Sequence, residues 1–345
     1  MSILKSSAYA LGVVAAVLFA GCSGGTQSSA FAPASTASST FITVTQPGAP
    51  HPDRQKSWIS PDAKRAPRLA FLSDLGTGDI YIFSLPTFTL KGTLTGFSQP
   101  QGMCSDTSGN VYVANTEATQ VIEISRTGEL LKTYADSYGF PVGCAVDPAT
   151  GNLAVADISG VSGGGQVLVF PSGSHTPIVL SNPAEYSYYF VGYGPNGALW
   201  TSGRDITGAY IVSTCGASAC STITLSGGTI YFPGPVQWDG VHRKWVLFDE
   251  VCGDTAAACS YPVSAKGVLG SPTRYDNYNG GGVCGMAQGV IAANQLNFVV
   301  GSDASCGSTS AAIARWHYPA GGNPTNFITL SNPYSIPGGV AISTK

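Results

Sequence analysis

From Arg68 onward the chain alternates hydrophobic and polar positions in short runs, each broken by Gly, Pro, Asn or Asp, which predicts strands joined by tight turns. The clearest unit reads PQGMCSDTSGNVYVANTEATQVIEISRTGELLKTY, and the next reads PVGCAVDPATGNLAVADISGVSGGGQVLVFPSG. Val111-Tyr112-Val113 and Leu153-Ala154-Val155 alternate as strands behind the turn pairs Gly109-Asn110 and Gly151-Asn152. Units start near residues 100, 141, 191, 235 and 283, at periods of 41 to 50 residues. A period of that length fits one four-stranded antiparallel blade per unit.

The two ends of this region complement each other. Pro337-Gly338-Gly339-Val340-Ala341-Ile342 reads as a lone first strand, whereas residues 68–96 supply a second, third and fourth strand without a first. Joining them closes a ring without a long free edge. The expected fold is all-β, a six-bladed β-propeller of four-stranded antiparallel blades over residues 68–345, with one blade built from both termini. The pattern P-x-G, D-x-x-G-N, alternation, A-[ND] resembles NHL repeats, and the layout resembles the gluconolactonase and streptogramin-lyase propellers.

The first 67 residues follow another logic. Lys5, an apolar run from Ala8 to Ala20 and Gly21-Cys22 read as a signal peptide over residues 1–21, the run being shorter than the ~20 residues a bilayer span needs. Leu18-Phe19-Ala20-Gly21-Cys22 resembles the bacterial lipobox, with Phe19 where that motif prefers Leu; the resemblance implies lipidation of Cys22, and Ser23 resembles an outer-membrane sorting signal. Residues 22–67 are rich in Ser, Thr, Ala, Gly and Pro and read as a flexible tether. As a coil it reaches on the order of 35–40 Å. Arg54, Lys56, Lys64, Arg65 and Arg68 cluster at its end, as a solvated linker terminus or as a contact for anionic head groups.

Composition narrows the partners. Charged residues make up 10% of the chain and the net charge is −3, so no basic footprint exists for nucleic acid. Besides Cys22 the chain holds eight cysteines, an even number in an exported protein, which favours disulfides. Strand positions pair Cys215 with Cys220, Cys252 with Cys259 and Cys284 with Cys306 locally. Cys104 and Cys144 lie one position out of step on adjacent first strands and predict a staple between blades. Zinc is the competing use, but no C-x-x-C pair or accompanying His supports it.

In a four-stranded blade the loops after the second and fourth strands emerge together, around the channel mouth. Each second strand ends near a polar residue: Asp74, Asn115, Asp157, Asp205, Asp249 with Glu250, and Asp303. These form a ring for a cation or polar ligand, or else each caps its own turn. Phe97, Tyr138, Phe232 and Tyr334 each stand three residues before a Pro, and Tyr188, Tyr189 and Tyr278 occupy the other junctions, as wedges between blades or as a ligand groove.

No enzyme constellation carries over. The resemblance to gluconolactonase implies a first-strand Glu as metal ligand, yet QGMCS, VGCAV, VGYGP, VQWDG, VCGMA and GGVAI contain none. His242 falls on the opposite face, and His175 and His317 fall in outer hairpins, so the His and Glu pair of the lyase is missing too. The expected protein is thus a lipid-anchored envelope module without a cofactor. Its candidate contacts for a neutral glycan or a peptide are Tyr138, Tyr278, Tyr334, Asp157, Asp249 and Glu250. The alternative is a metal-dependent lactonase-like or lyase-like enzyme.

Overall fold

The computed structural model describes residues 57–160, 163–253, 257–276, 286–292, 298–303 and 311–345. Cys22, the signal peptide and most of the tether lie outside the described residues, as do Tyr278, Cys284 and Cys306.

The chain is all-β. It runs through β1 (Trp58–Ile59), β2 (Arg68–Asp74), β3 (Asp79–Ser84) and β4 (Thr89–Thr95), then β5 (Pro100–Ser105), β6 (Val111–Asn115), β7 (Gln120–Ile124) and β8 (Leu130–Ala135). The next antiparallel set is β9 (Gly139–Val146), β10 (Leu153–Gly160), β11 (Gln166–Phe170) and β12 (Ile178–Leu180). It is followed by β13 (Ser187–Tyr193), β14 (Leu199–Arg204), β15 (Tyr210–Cys215) and β16 (Cys220–Ile223). Then come β17 (Pro233–Asp239), β18 (Lys244–Asp249), β19 (Ala257–Val263) and β20 (Thr273–Asp276). The last strands are β21 (Met286–Ala292), β22 (Phe298–Asp303), β23 (Ala312–His317), β24 (Gly321–Thr329) and β25 (Pro337–Thr344).

β25 pairs antiparallel with β2, from Arg68 opposite Thr344 to Asp74 opposite Pro337, so the two ends do build one sheet together. The hydrogen-bonded sheets number five, where the repeat count expects six separate ones. The reason is local: β20 touches β24 through a single parallel bridge, Tyr275 to Gly322, which joins two four-stranded sets into one eight-stranded sheet.

The body also extends N-terminal to the alternating region. β1 adds a fifth strand to the first sheet outside β4, and Ala63 is fully buried in its core. The Thr95 N–H donates to Ser57 Oγ at 3.0 Å, so the chain enters beside the end of β4 that leads into the next first strand.

Hydrophobic clusters lie between sheets. Phe71 and Ile82 pack on Met103 and Val113, Tyr112 and Tyr134 pack on Leu168 and Phe170, and Trp200 stacks on Trp245 at 4.5 Å. Each such side chain contributes about 1.5–3 kcal/mol on full burial. The Gly of the P-x-G pattern has a steric origin. A Cβ on Gly102, Gly143 or Gly192 would overlap the backbone carbonyl of the next first strand, at Val142, Tyr189 and Val236.

The axis is filled. Val142, Phe190 and Ala287 from three different sheets share one buried cluster with Ile158 and Tyr189. Gln288 reaches past β25 to β5: its Oε1 accepts from the Met103 and Val340 N–H groups, both at 3.0 Å, and its Nε2 donates to the Met103 carbonyl at 2.8 Å. Three predicted cysteine pairs are bonded: Cys104 to Cys144 across two sheets, Cys215 to Cys220 across a hairpin, and Cys252 to Cys259 across one loop.

Candidate functional site

The loops after second and fourth strands form one face, the mouth face, and on it Asp74, Asp136, Asp157, Asp249 and Glu250 are buried. Asp74 Oδ1 accepts from the backbone N–H groups of Gly76 at 3.0 Å and Ile336 at 2.8 Å. Asn115 Oδ1 accepts from Ser98 N–H at 2.7 Å. Asp249 accepts from Tyr231, Phe232 and Val251 N–H groups at 3.0, 3.0 and 3.2 Å. In each case the side chain ties the incoming fourth-to-first loop to the end of a second strand, the capping role these residue types perform in turns. Burial pushes the Asp74 and Asp249 carboxyls up, and the backbone donors oppose it.

Asp157 is fully buried, and its Oδ2 accepts from Gln166 Nε2 at 3.1 Å. Its pKa is raised by burial first and then by the hydrogen bond and charge of Asp136. Asp136 in turn accepts from Tyr138 and Gly139 N–H groups at 2.8 and 3.1 Å, so two acids hold one loop. Glu250 is buried too; burial and then the charge of Asp249 raise its pKa, while Arg204 lowers it. Arg204 lies 4.3 Å over the Phe232 ring.

Asp205 departs from the expected ring. Ser73, Ser202 and Ser302 each donate a hydroxyl to a carbonyl of the neighbouring first strand, namely Gln101, Gly234 and Gly338. The residues that follow these serines are Asp74, Gly203 and Asp303, so the register position in the β14 sheet belongs to Gly203. Asp205 lies two residues further on, in the hairpin turn, where it accepts from the Thr207 and Ala209 N–H groups.

The space beside Gly203 is taken by Glu185, which no pattern in the sequence marks as part of the site. A Cβ on Gly203 would lie 2.7 Å from Glu185 Oε1. The Thr201 and Ser213 hydroxyls donate to the Glu185 carboxyl, and burial, opposed by these hydroxyls, pushes its pKa up to about 8. The missing Asp in LWTSG is the one signal that points there.

The aromatics divide. Tyr188 and Tyr189 are buried wedges, and Tyr188 Oη accepts from Asn182 N–H at 2.6 Å. Tyr138 and Tyr334 face solvent, 37% and 58% exposed, on loops held by Asp136 and Asp74. Tyr231, outside the repeated spacing, is 57% exposed. On the opposite face His242 Nδ1 lies 2.5 Å from Asp239 Oδ2, which also accepts from Tyr318 Oη at 2.7 Å. Among the described residues no three His, Cys, Asp or Glu side chains are grouped to hold a metal ion.

No family model matches the chain. The mouse NHL-repeat-containing protein 4 is 34% identical over 104 residues, which span 29% of this chain and 73% of that protein. The human protein of the same name is 36% identical over 85 residues, 23% of this chain and 68% of that one. Among solved structures, a chain of a nidogen/laminin complex superposes with a TM-score of 0.61 at 13% identity, covering 80% of this chain and 98% of that one. A Bacteroides caccae protein of unknown function gives 0.61 at 11%, over 81% of this chain and 100% of that one. Streptogramin B lyase gives 0.50 at 12%, over 83% and 86%. At these identities the structural likeness shows a shared fold, a propeller.

Proposed function

The chain belongs to the NHL-repeat proteins, and on that premise we propose that it is an exported, lipid-tethered six-bladed propeller that binds a neutral glycan or a peptide without turning it over. The observation that carries the binding reading is the pairing of exposed tyrosines with buried acids. Tyr138 stands on a loop whose backbone Asp136 holds, and Tyr334 on one that Asp74 holds, so each ring is presented on a fixed frame above a filled axis. Tyrosine offers wide, rigid, amphipathic contact area at small entropic cost.

Six sets of four strands, one extended by β1 and two bridged once, support the blade count. The fold alone does not choose a function. One structural relative is named for a complex of two proteins and another is a lyase. Lipidation of Cys22 rests on the residues from Leu18 to Cys22, and Ser57 lies at the mouth-face rim, so a tether would join the propeller beside its binding face.

The test is an array of neutral glycans and peptides probed with the full chain. Binding is expected to survive EDTA and to weaken at least about tenfold when Tyr138, Tyr278 and Tyr334 are changed together to Ala. On the same preparations Cys22→Ser should remove palmitate label and release the protein from membranes. Turnover of a lactone that stops with EDTA would replace the binding reading with the metal-enzyme alternative.

A further inference from the structure

An open groove of about 790 Å³ runs along the flank of the β17–β20 sheet, lined by residues that neither the repeat pattern nor the expected ligand contacts include. Gly227, Gly228, Thr229 and Tyr231 contribute to it from the connection between β16 and β17, and Cys252 and Gly253 from the loop after β18. Tyr261 of β19 and the segment Leu269 to Pro272 contribute the rest of the described lining. Its size falls within the roughly 300–1,000 Å³ of small-molecule sites.

Three devices hold the exposed Tyr231 ring in place. Asp249 accepts from the Tyr231 N–H at 3.0 Å. Gly253, at φ +75°, packs so closely that a Cβ there would lie 2.9 Å from Tyr231 Cε2. The Cys252–Cys259 bond ties the loop that carries Gly253 to β19. A ring positioned in this way loses little freedom when a ligand settles on it.

The lining decides the ligand class. Among the described residues no charged side chain lines the groove, so an ionic ligand finds no counter-charge in them. An extended peptide would draw affinity from a free strand edge, but the edge is already occupied: Ser226 N–H donates to Gly267 O at 3.0 Å and Leu269 N–H to Ser226 O at 2.8 Å. The hydroxyls of Thr229, Ser271 and Tyr261 stand in the lining among four glycines, a set of neutral donors and acceptors suited to sugar hydroxyls.

We infer that this groove is a neutral-saccharide site in which Tyr231 is the platform on which a sugar ring stacks. It rests on the reading of the propeller as a binding module, and it places the principal saccharide contact at Tyr231, where the mouth face meets the flank of the β17–β20 sheet, instead of at Tyr138 and Tyr334.

The test uses the full chain in a detergent without a sugar head group, a neutral-glycan array, and calorimetry on the strongest hit. Tyr231→Ala should weaken binding at least about tenfold, and Tyr231→Phe should stay within about threefold of wild type, because stacking needs the ring and not its hydroxyl. Gly253→Ala, which displaces the ring from behind, should weaken binding as well. The unfolding midpoint of Tyr231→Ala should match wild type, since the side chain is exposed. Wild-type affinity in Tyr231→Ala overturns the inference. So does an array on which only peptides bind, or none of the glycans at millimolar concentration. If the three mouth tyrosines control glycan binding and Tyr231 does not, the inference falls and the binding module stands. Lactone turnover without glycan binding removes both.

Discussion

The β14 sheet and the β18 sheet solve the same problem with acids delivered from opposite sides. At the end of β18, Asp249 reaches out of the strand and gathers three backbone N–H groups of the neighbouring loops. At the equivalent point of β14 the strand has Gly203, and the loop sends Glu185 inward to the Thr201 and Ser213 hydroxyls. Hydroxyls can turn to suit either protonation state of a carboxyl, whereas a row of N–H groups favours the carboxylate. What the mouth face requires is an anchor between loop and strand end. Its sequence position and its charge are secondary.

The largest effect is expected when one anchor is imposed on the strand that carries the other. Gly203→Asp would give β14 the acid that the other strands carry, but its Cβ overlaps the Ser187 carbonyl and crowds Glu185. Overpacking against backbone in a buried site typically costs 1–3 kcal/mol, and a second buried acid beside the first adds to it. We expect a loss of more than about 4 kcal/mol in urea unfolding, which would leave little folded protein for a domain of ordinary stability. Near-wild-type stability would show that Glu185 does not fill the register position.

A second, smaller effect separates the two anchors by pH. Glu185 has a folded pKa of about 8 against an ordinary 4.5, so the folded state holds its proton more tightly than the unfolded state does. Stability from this group is therefore fully present below the unfolded value and is lost as pH rises through the folded one. Glu185→Gln keeps the shape without the titration. The stability difference between wild type and variant should move against wild type by on the order of 1 kcal/mol per pH unit between about pH 5 and 8, and level off above that. Parallel wild-type and variant profiles would show that the carboxyl is ionised throughout.

These anchors also mark the limit of what the residue pattern makes legible. Alternation and the P-x-G, G-N and A-[ND] punctuation expose the sheets and the shared first sheet, because strand period and tight turns are local properties. The offset of Cys104 against Cys144 is legible for the same reason. Gly203 and Glu185 are not, since an acid contributed by another loop leaves no trace in register; only the absent Asp hints at it. Tyr231 escapes because the position of its ring depends on Gly253 and on the disulfide that ties the loop of Gly253, and the bridge between Tyr275 and Gly322 escapes because one contact between outer strands has no pattern at all.

The smallest effect concerns Asp249 and Asp205, which both stand near the end of a second strand and differ by two positions of register. Asp249 is fully buried, and truncating it to Ala strands three backbone donors, partly offset by removing a carboxyl whose burial is unfavourable. Asp205 sits in a solvent-facing turn, where water replaces its bonds to the Thr207 and Ala209 N–H groups. We expect Asp249→Ala to cost about 2–3 kcal/mol and Asp205→Ala under about 1 kcal/mol, measured as shifts in the urea midpoint at constant slope. The Thr207 hydroxyl leads the interactions that hold the Asp205 carboxyl below its usual range. Its small contribution should therefore be present above the usual carboxylate range and fade as the pH falls through the lowered folded value, the reverse of Glu185. Equal costs for the two substitutions would mean that Asp205 belongs to the ring after all.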